Sequence, residues 1–239
     1  DYEAIKELVR QAKVVYADET GWRMDGQHWH LWVFVTTKGV QYVIEDTRGK
    51  GVAEKALGDN RDRVIVSDGY TAYQNLPGDK QQCWIHLLRA AKLHAPPLYQ
   101  SLAILYHKLL LGLERPPNQR NKNYFIKRLA ALTKQKALNH GELKIQARIR
   151  RDQRSLLTCL DYKDVLPENN TAERAIRPQV IMRKIFGGSR SLAGATSHAV
   201  NSSVIATMQK QNPNLNFFDV MLPLLEKRGK EQQESHSES

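Results

Sequence analysis

The stretch from residue 14 to residue 44 constrains the fold more than any other. Three aromatic and β-branched runs, at 14–17, 29–35 and 40–44, are separated by short connections that carry Asp25-Gly26 and Lys38-Gly39. Asp-Gly is a hairpin signal, because the two-residue turn that matches strand twist needs positive φ at both positions. Three strands at this spacing read as an antiparallel meander. A helix at 52–57 and a fourth strand at 64–66 follow, with a short fifth strand expected at 82–85. The order β-β-β-α-β-α-β-α predicts an α/β fold, a mixed sheet with helices on its faces.

Beyond residue 85 the pattern turns helical. Leu102, Leu105, Leu109 and Leu113 recur at three- and four-residue spacing, and Pro116-Pro117 ends that helix. Further helices are expected at 124–138, 142–157 and 196–211, and a terminal one at 215–228. Residues 229–239 hold almost only Lys, Glu, Gln, Ser and His and have nothing to bury, which predicts a disordered tail. The chain thus divides into a first part of the sheet core (1–95), a helical insertion (96–160), the returning core helices (161–228) and the tail (229–239).

Charge is concentrated in the insertion. The chain carries a net +11, and the stretch 107–154 holds thirteen Lys and Arg against three Asp and Glu. A local +10 marks a surface for a polyanion. Lys127, Arg128, Arg148, Arg150 and Arg151 are its candidate phosphate contacts. Two cysteines give no disulfide framework, so a reducing compartment is expected. No apolar run is long enough to span a bilayer, and no signal peptide opens the chain. The first residue is not Met, so the chain reads as a piece of a longer protein.

Three acidic residues stand out by setting. Asp18 follows the first apolar run, Asp68 follows the fourth, and Glu173 opens a helix in Asn-Asn-Thr-Ala-Glu-Arg. Two strand carboxylates and one helix carboxylate suit a two-metal phosphodiester site, since Mg²⁺ takes hard oxygen ligands and keeps positions open for substrate. Asp18 and Glu19 are strand neighbours and face opposite ways, so one of them joins such a site. Each has an ordinary alternative. Asp18 and Asp68 can start turns. Asn170 and Glu173 fit a capping box, and Pro178 is expected to end or kink that helix within two turns. Arg174 and Arg177 beside the Glu are candidate phosphate contacts, with solvated helix charge as the alternative.

The remaining motifs are less specific. Cys83-x-x-His86 has zinc-like spacing, yet a structural zinc site needs four ligands and no second Cys/His pair follows. A buried Cys and a hydrogen-bonding His at a strand–helix junction is the reading preferred. His28 and His30 share one strand face and read as solvated or stacking. Gly187-Gly188-Ser189-Arg190 can offer backbone N–H groups to a phosphate or serve as a plain inter-helix loop. The four tryptophans read as core.

In order along the chain stand Asp-Glu-Thr-Gly-Trp-Arg, Leu31-Trp32-Val33, Ser-Asp-Gly-Tyr-Thr-Ala-Tyr and Cys-Trp-Ile-His-Leu-Leu-Arg. Asn-Asn-Thr-Ala-Glu-Arg-Ala-Ile-Arg-Pro follows, then Arg183-Lys184 and Gly187-Gly188-Ser189. Together they resemble the insertion-sequence 66 family of bacterial transposases, from about residue 14 to residue 228. The resemblance implies an RNase H-like fold and a D-D-E site at Asp18, Asp68 and Glu173. It implies two Mg²⁺ ions about 3.5–4 Å apart, replaceable by Mn²⁺. The implied partner is DNA, at transposon ends and target, contacted also by Arg183, Lys184 and Arg190. The implied setting is the bacterial cytoplasm at the nucleoid, with a homo-oligomer on DNA and no membrane. One departure is that Leu88 precedes Arg89 where relatives often carry consecutive basic residues. The N-terminal DNA-reading and coiled-coil parts of full-length relatives have no counterpart here, so DNA binding is expected to rest on charge. A nuclease on the same fold and a silent nucleic-acid-binding protein are the alternatives.

Overall fold

The computed structural model describes residues 2–214, with 216, 218, 219 and 222 beyond them. It opens with helix α1 (Tyr2–Gln11), followed by strands β1 (Val14–Met24), β2 (Gln27–Val35) and β3 (Val40–Glu45). Next come α2 (Lys50–Leu57), β4 (Val64–Ser67), the single turn α3 (Thr71–Gln74) and β5 (Asp79–Gln82). The helices α4 (Trp84–His94), α5 (Pro96–Leu113), α6 (Lys122–Lys134), α7 (His140–Leu156), α8 (Asn170–Phe186) and α9 (Leu192–Gln211) follow.

The sheet runs β3-β2-β1-β4-β5. Its first three strands are the antiparallel meander, and β4 and β5 lie parallel to β1. The Asp25-Gly26 turn takes φ of 48° and 73°, the double positive φ that the β1–β2 hairpin demands. Alternation along β1 divides the core. Val15 and Ala17 pack with Trp32, Phe34, Leu57 and Tyr73 on one face, while Tyr16 packs with Leu31, Val33 and Val66 on the other. The second face continues into Trp84, Leu102, Leu109, Leu129 and Ile149, so the helical block shares one core with the sheet.

Several expectations need correction. Strand β1 is longer than foreseen and places Asp18 in mid-strand instead of at its end. Strand β5 lies earlier than 82–85, and Ile85 belongs to α4. Helix α8 continues through Pro178 to Phe186. Proline removes one N–H and frees the carbonyl four residues before it. That carbonyl belongs to Arg174, on the exposed side of the helix, while Ala172, Ile176 and Gln179 hold the buried side. Helix α1, for which the sequence offered no expectation, buries Ile5 and Val9. Helix α7, within the stretch read as an insertion, packs on β5 and α4, and the Trp84 indole N–H donates to the Leu156 carbonyl at 2.7 Å. Trp22, Trp32 and Trp84 are buried, while Trp29 is only partly covered. The expected helix at 215–228 falls mostly, and the tail wholly, outside the described residues.

Helix α9 also closes the sheet edge. Tyr42 N–H donates to Ser203 Oγ at 2.8 Å, and Val40 N–H donates to Thr207 Oγ1 at 2.9 Å. These hydroxyls satisfy strand donors that would otherwise invite another chain.

Candidate active site

Asp18 sits on β1 at the register of Val33, on the face of Tyr16, and its Oδ1 accepts from Glu19 N–H at 2.9 Å. Asp68 follows the last residue of β4, and its Oδ1 accepts from Tyr70 N–H at 2.8 Å, shaping the turn into α3. Glu173 lies in the first turn of α8. These three elements bring the carboxyl groups within one another's electrostatic field. Burial, the charge of Glu19, and then those of Asp68 and Glu173 push the Asp18 carboxyl up to about 7, against a bond from Glu19 N–H that lowers it. Like charges crowded in a partly dry site hold a proton unless a cation takes its place.

Glu19 faces the other way and is engaged there. It accepts from the Tyr73 hydroxyl at 2.6 Å and pairs with Arg48, whose guanidinium lies 3.9 Å from the Tyr70 ring centroid. Burial raises the Glu19 carboxyl, and the Tyr73 and Arg48 contacts oppose that rise.

Glu173 does not close a capping box. The N-cap is Asn169, one residue earlier than expected, with no side-chain cap bond. The Glu173 side chain points instead to α4, with Oε1 3.8 Å from His86 Nδ1 and Oε2 3.9 Å from an Arg89 nitrogen. Asn169 sets the entry of α8. It is fully buried, donates from Nδ2 to the Ala17 carbonyl at 2.8 Å, and its N–H donates to Cys83 Sγ at 3.3 Å. One side chain thus ties the strand residue before Asp18 to the helix that carries Glu173. Sequence reading passed over Asn169, because an Asn beside a helix start is read as a cap. Its Oδ1, with Gln82 Oε1, His86 Nδ1 and Glu173 Oε1, is buried without a hydrogen-bond partner.

The basic residues divide by use. Lys127, Arg128, Arg150, Arg151, Arg174, Arg177, Lys184 and Arg190 are exposed. Arg150 and Arg151 are partly engaged, donating to the Thr133 carbonyl at 2.9 Å and to both Asp152 oxygens. Arg148 is half-buried, pairs with Asp152 at 3.8 Å and donates to the Asp68 carbonyl at 3.3 Å, so α7 reaches the turn that carries Asp68. Arg183 is spent on β1, donating to Thr20 Oγ1 and the Gly21 carbonyl. The glycine-rich loop is equally committed. Ser189 N–H donates to the Arg23 carbonyl at 2.8 Å, and the Ser189 carbonyl accepts from Asp25 N–H at 2.9 Å. Gly188 has φ 104°, and a Cβ there would clash with the Arg23 carbonyl. This loop is a clasp on the β1–β2 hairpin, and the Gly187 and Ser189 N–H groups are not free for phosphate. His28 and His30 meet edge to face at 4.7 Å.

An α/β protein with partly buried carboxylates on adjoining strands and a helix, beside a basic helical block, is the class these features define. The chain belongs to the Transposase IS66 family, which matches residues 2–103 and 114–197. Over 158 residues it is 27% identical to the uncharacterized protein y4jO of Sinorhizobium fredii (strain NBRC 101917 / NGR234). That match covers 62% of this chain and 49% of the relative, so the chain spans about half the length of the curated relative it matches. No solved structure matches. Among the described residues no helix is long and apolar enough to cross a membrane.

Proposed function

We propose that the chain is the catalytic core of a DNA transposase, with Asp18, Asp68 and Glu173 as its D-D-E site. The observation that carries this reading is the placement of those carboxylates on β1, just after β4 and in the first turn of α8, near enough that Asp68 and Glu173 add to the burial and the Glu19 charge that lift Asp18 to about 7. The strand order, with an antiparallel meander followed by two parallel strands, supports an RNase H-like reading in which residues 96–160 are an insertion.

The donor set fits Mg²⁺, with Mn²⁺ as a substitute, because all three side chains offer carboxylate oxygens, and burial with neighbouring negative charge raises Asp18, a rise that a cation would reverse. When bound, two such ions would activate water or a DNA 3′-OH and neutralise charge on the leaving oxygen. The chain does the rest. Asp18, Asp68 and Glu173 would hold such ions, with Asp18 in its ionised form. Arg48 and Tyr73 keep Glu19 out of the cluster. Arg148, anchored on the Asp68 carbonyl, sets positive charge at the site where a phosphodiester would lie. The exposed arginines and lysines of α6, α7 and α8 hold flanking phosphates, which positions DNA without reading sequence. No side chain is needed as a covalent nucleophile. Water hydrolyses a phosphodiester to free a 3′-OH, and that 3′-OH then attacks a target phosphorus, forming a new 3′-O–P bond as the target strand's own 3′-oxygen leaves. Joining two ends needs two such sites, so the acting species on DNA is an oligomer, in the nucleoid of a bacterial cytoplasm.

The test is strand joining. A labelled duplex with a free 3′-OH, a target plasmid, the protein and Mg²⁺ or Mn²⁺ should yield label covalently attached to the plasmid. Asp68→Asn should abolish the product with little change in melting temperature. Cleavage without joining would assign the site to a nuclease.

A further inference from the structure

The carboxylate cluster does not account for the other side of Glu173. There the side chain faces Cys83 and His86, and donor atoms of all three lie within 4.8 Å of one another. Cys83 stands between the end of β5 and the start of α4, and His86 follows three residues later on the same helix face. The first turns of α4 and α8 therefore converge on one small space.

That space is built for a ligand on three counts. His86 Nδ1 and Glu173 Oε1 are buried polar atoms without hydrogen-bond partners, 3.8 Å apart. The remaining Glu173 oxygen lies toward Arg89, which leaves Oε1 as the free donor. The sulfur is held in place by Asn169 N–H at 3.3 Å. Burial pushes the Cys83 thiol up, while the N–H groups of His86, Asn169 and Ile85 favour its thiolate. His86 and Glu173 keep about a third and a quarter of their side chains exposed, so an ion has a way in.

We propose that Cys83, His86 and Glu173 form a second cation site, of the Zn²⁺ class, that shares Glu173 with the carboxylate cluster. Thiolate, imidazole and carboxylate form a donor set that zinc takes and magnesium does not. Three protein ligands leave a fourth tetrahedral position for water. The sequence argument against zinc was the lack of a second Cys/His pair. The fold supplies the third ligand from a helix ninety residues away in the chain, and an open site needs no fourth. One consequence rests on the function proposed above. A Zn²⁺ ion here draws Glu173 from the Mg²⁺ ligands, so zinc inhibits DNA cleavage in the presence of Mg²⁺.

Cobalt substitution tests the site without any activity. Co²⁺ titrated into the full chain should give intense visible bands of tetrahedral cobalt and a sulfur-to-cobalt charge-transfer band, and Zn²⁺ should abolish both. Loss of an outer-shell partner alone costs about 10–100-fold in metal affinity, and loss of a ligand should cost at least as much. Cys83→Ser should lose the charge-transfer band, His86→Ala should weaken binding by that factor, and Asp68→Asn should change neither. His86 is partly exposed, so its variant serves even where Cys83→Ser disturbs the core. Weak octahedral spectra in the wild type, or unchanged affinity in His86→Ala, would overturn the proposal. A cobalt site in a chain that cleaves no DNA would leave this site standing and remove the transposase reading. Zinc inhibition that persists undiminished in both Cys83→Ser and His86→Ala would refute the shared Glu173.

Discussion

Asp18→Asn should stabilise the protein, and the gain should depend on pH. In the folded chain the Asp18 carboxyl lies at about 7, against 3.8 for the free group. Between those values the folded state keeps a proton that the unfolded chain releases. Stability therefore falls as pH rises from about 4 to about 7 and then levels off. A shift of about three units at roughly 1.4 kcal/mol each amounts to about 4 kcal/mol, and residual solvent contact brings the expectation to about 2–4 kcal/mol. Asn keeps an Oδ1 to accept from Glu19 N–H and removes the charge. For a domain of this size each kcal/mol moves the melting temperature by about 2–4 °C. The variant should thus melt about 4–16 °C above wild type at pH 8 and level with it at pH 4. Calorimetric melts at pH 4, 6 and 8, with and without Mg²⁺, provide the assay. Mg²⁺ should raise the wild-type melting point at pH 8 far more than that of the variant. Equal wild-type and variant stability at pH 8, or a gain that does not change with pH, would refute the crowding argument.

Asn169→Ala should cost about 1–3 kcal/mol in urea melts, the range for stranding a buried carbonyl, here that of Ala17. It should also lower cleavage beyond its effect on folding, since Asn169 sets where Glu173 stands. Thr207→Val should cost a similar ~1–3 kcal/mol by leaving Val40 N–H unpaired, and faster amide exchange at Val40 would report it. DNA affinity should fall steeply with salt: about 6–10 phosphate contacts imply a loss of ~10³–10⁵ between roughly 50 and 200 mM. A flat titration would remove the basic helices from the interface.

The meander, the fourth strand and the leucine-patterned helix were legible because their side chains follow the period of the element they form. Strand β5 was not. Its sequence is Asp-Lys-Gln-Gln, and Gln81 is buried for its polar atoms, with Nε2 donating to the Leu156 carbonyl and Oε1 accepting from Cys159 N–H. A strand that buries hydrogen-bonding amides shows no apolar alternation. Pro178 misled for a related reason: a local rule ended the helix, while buried Ala172, Ile176 and Gln179 on either side of the proline hold it together. At the site, the strand settings of Asp18 and Asp68 could be read locally. The orientation of Glu173 could not, because it depends on Asn169 reaching Ala17 and on α4 presenting His86 and Arg89. These contacts join segments far apart in sequence. Arg183 shows the converse: its charge suggested phosphate, and the fold spends it on the β1 backbone.

The most direct measurement is metal-dependent nicking of supercoiled plasmid by the wild-type chain and by Asp18→Asn, Asp68→Asn and Glu173→Gln, with the new ends identified. The account predicts nicked circles only with wild type and only with Mg²⁺ or Mn²⁺, each nick carrying a 3′-OH that a polymerase extends. Nicking retained in Glu173→Gln, or ends closed by a 3′-phosphate, would contradict it.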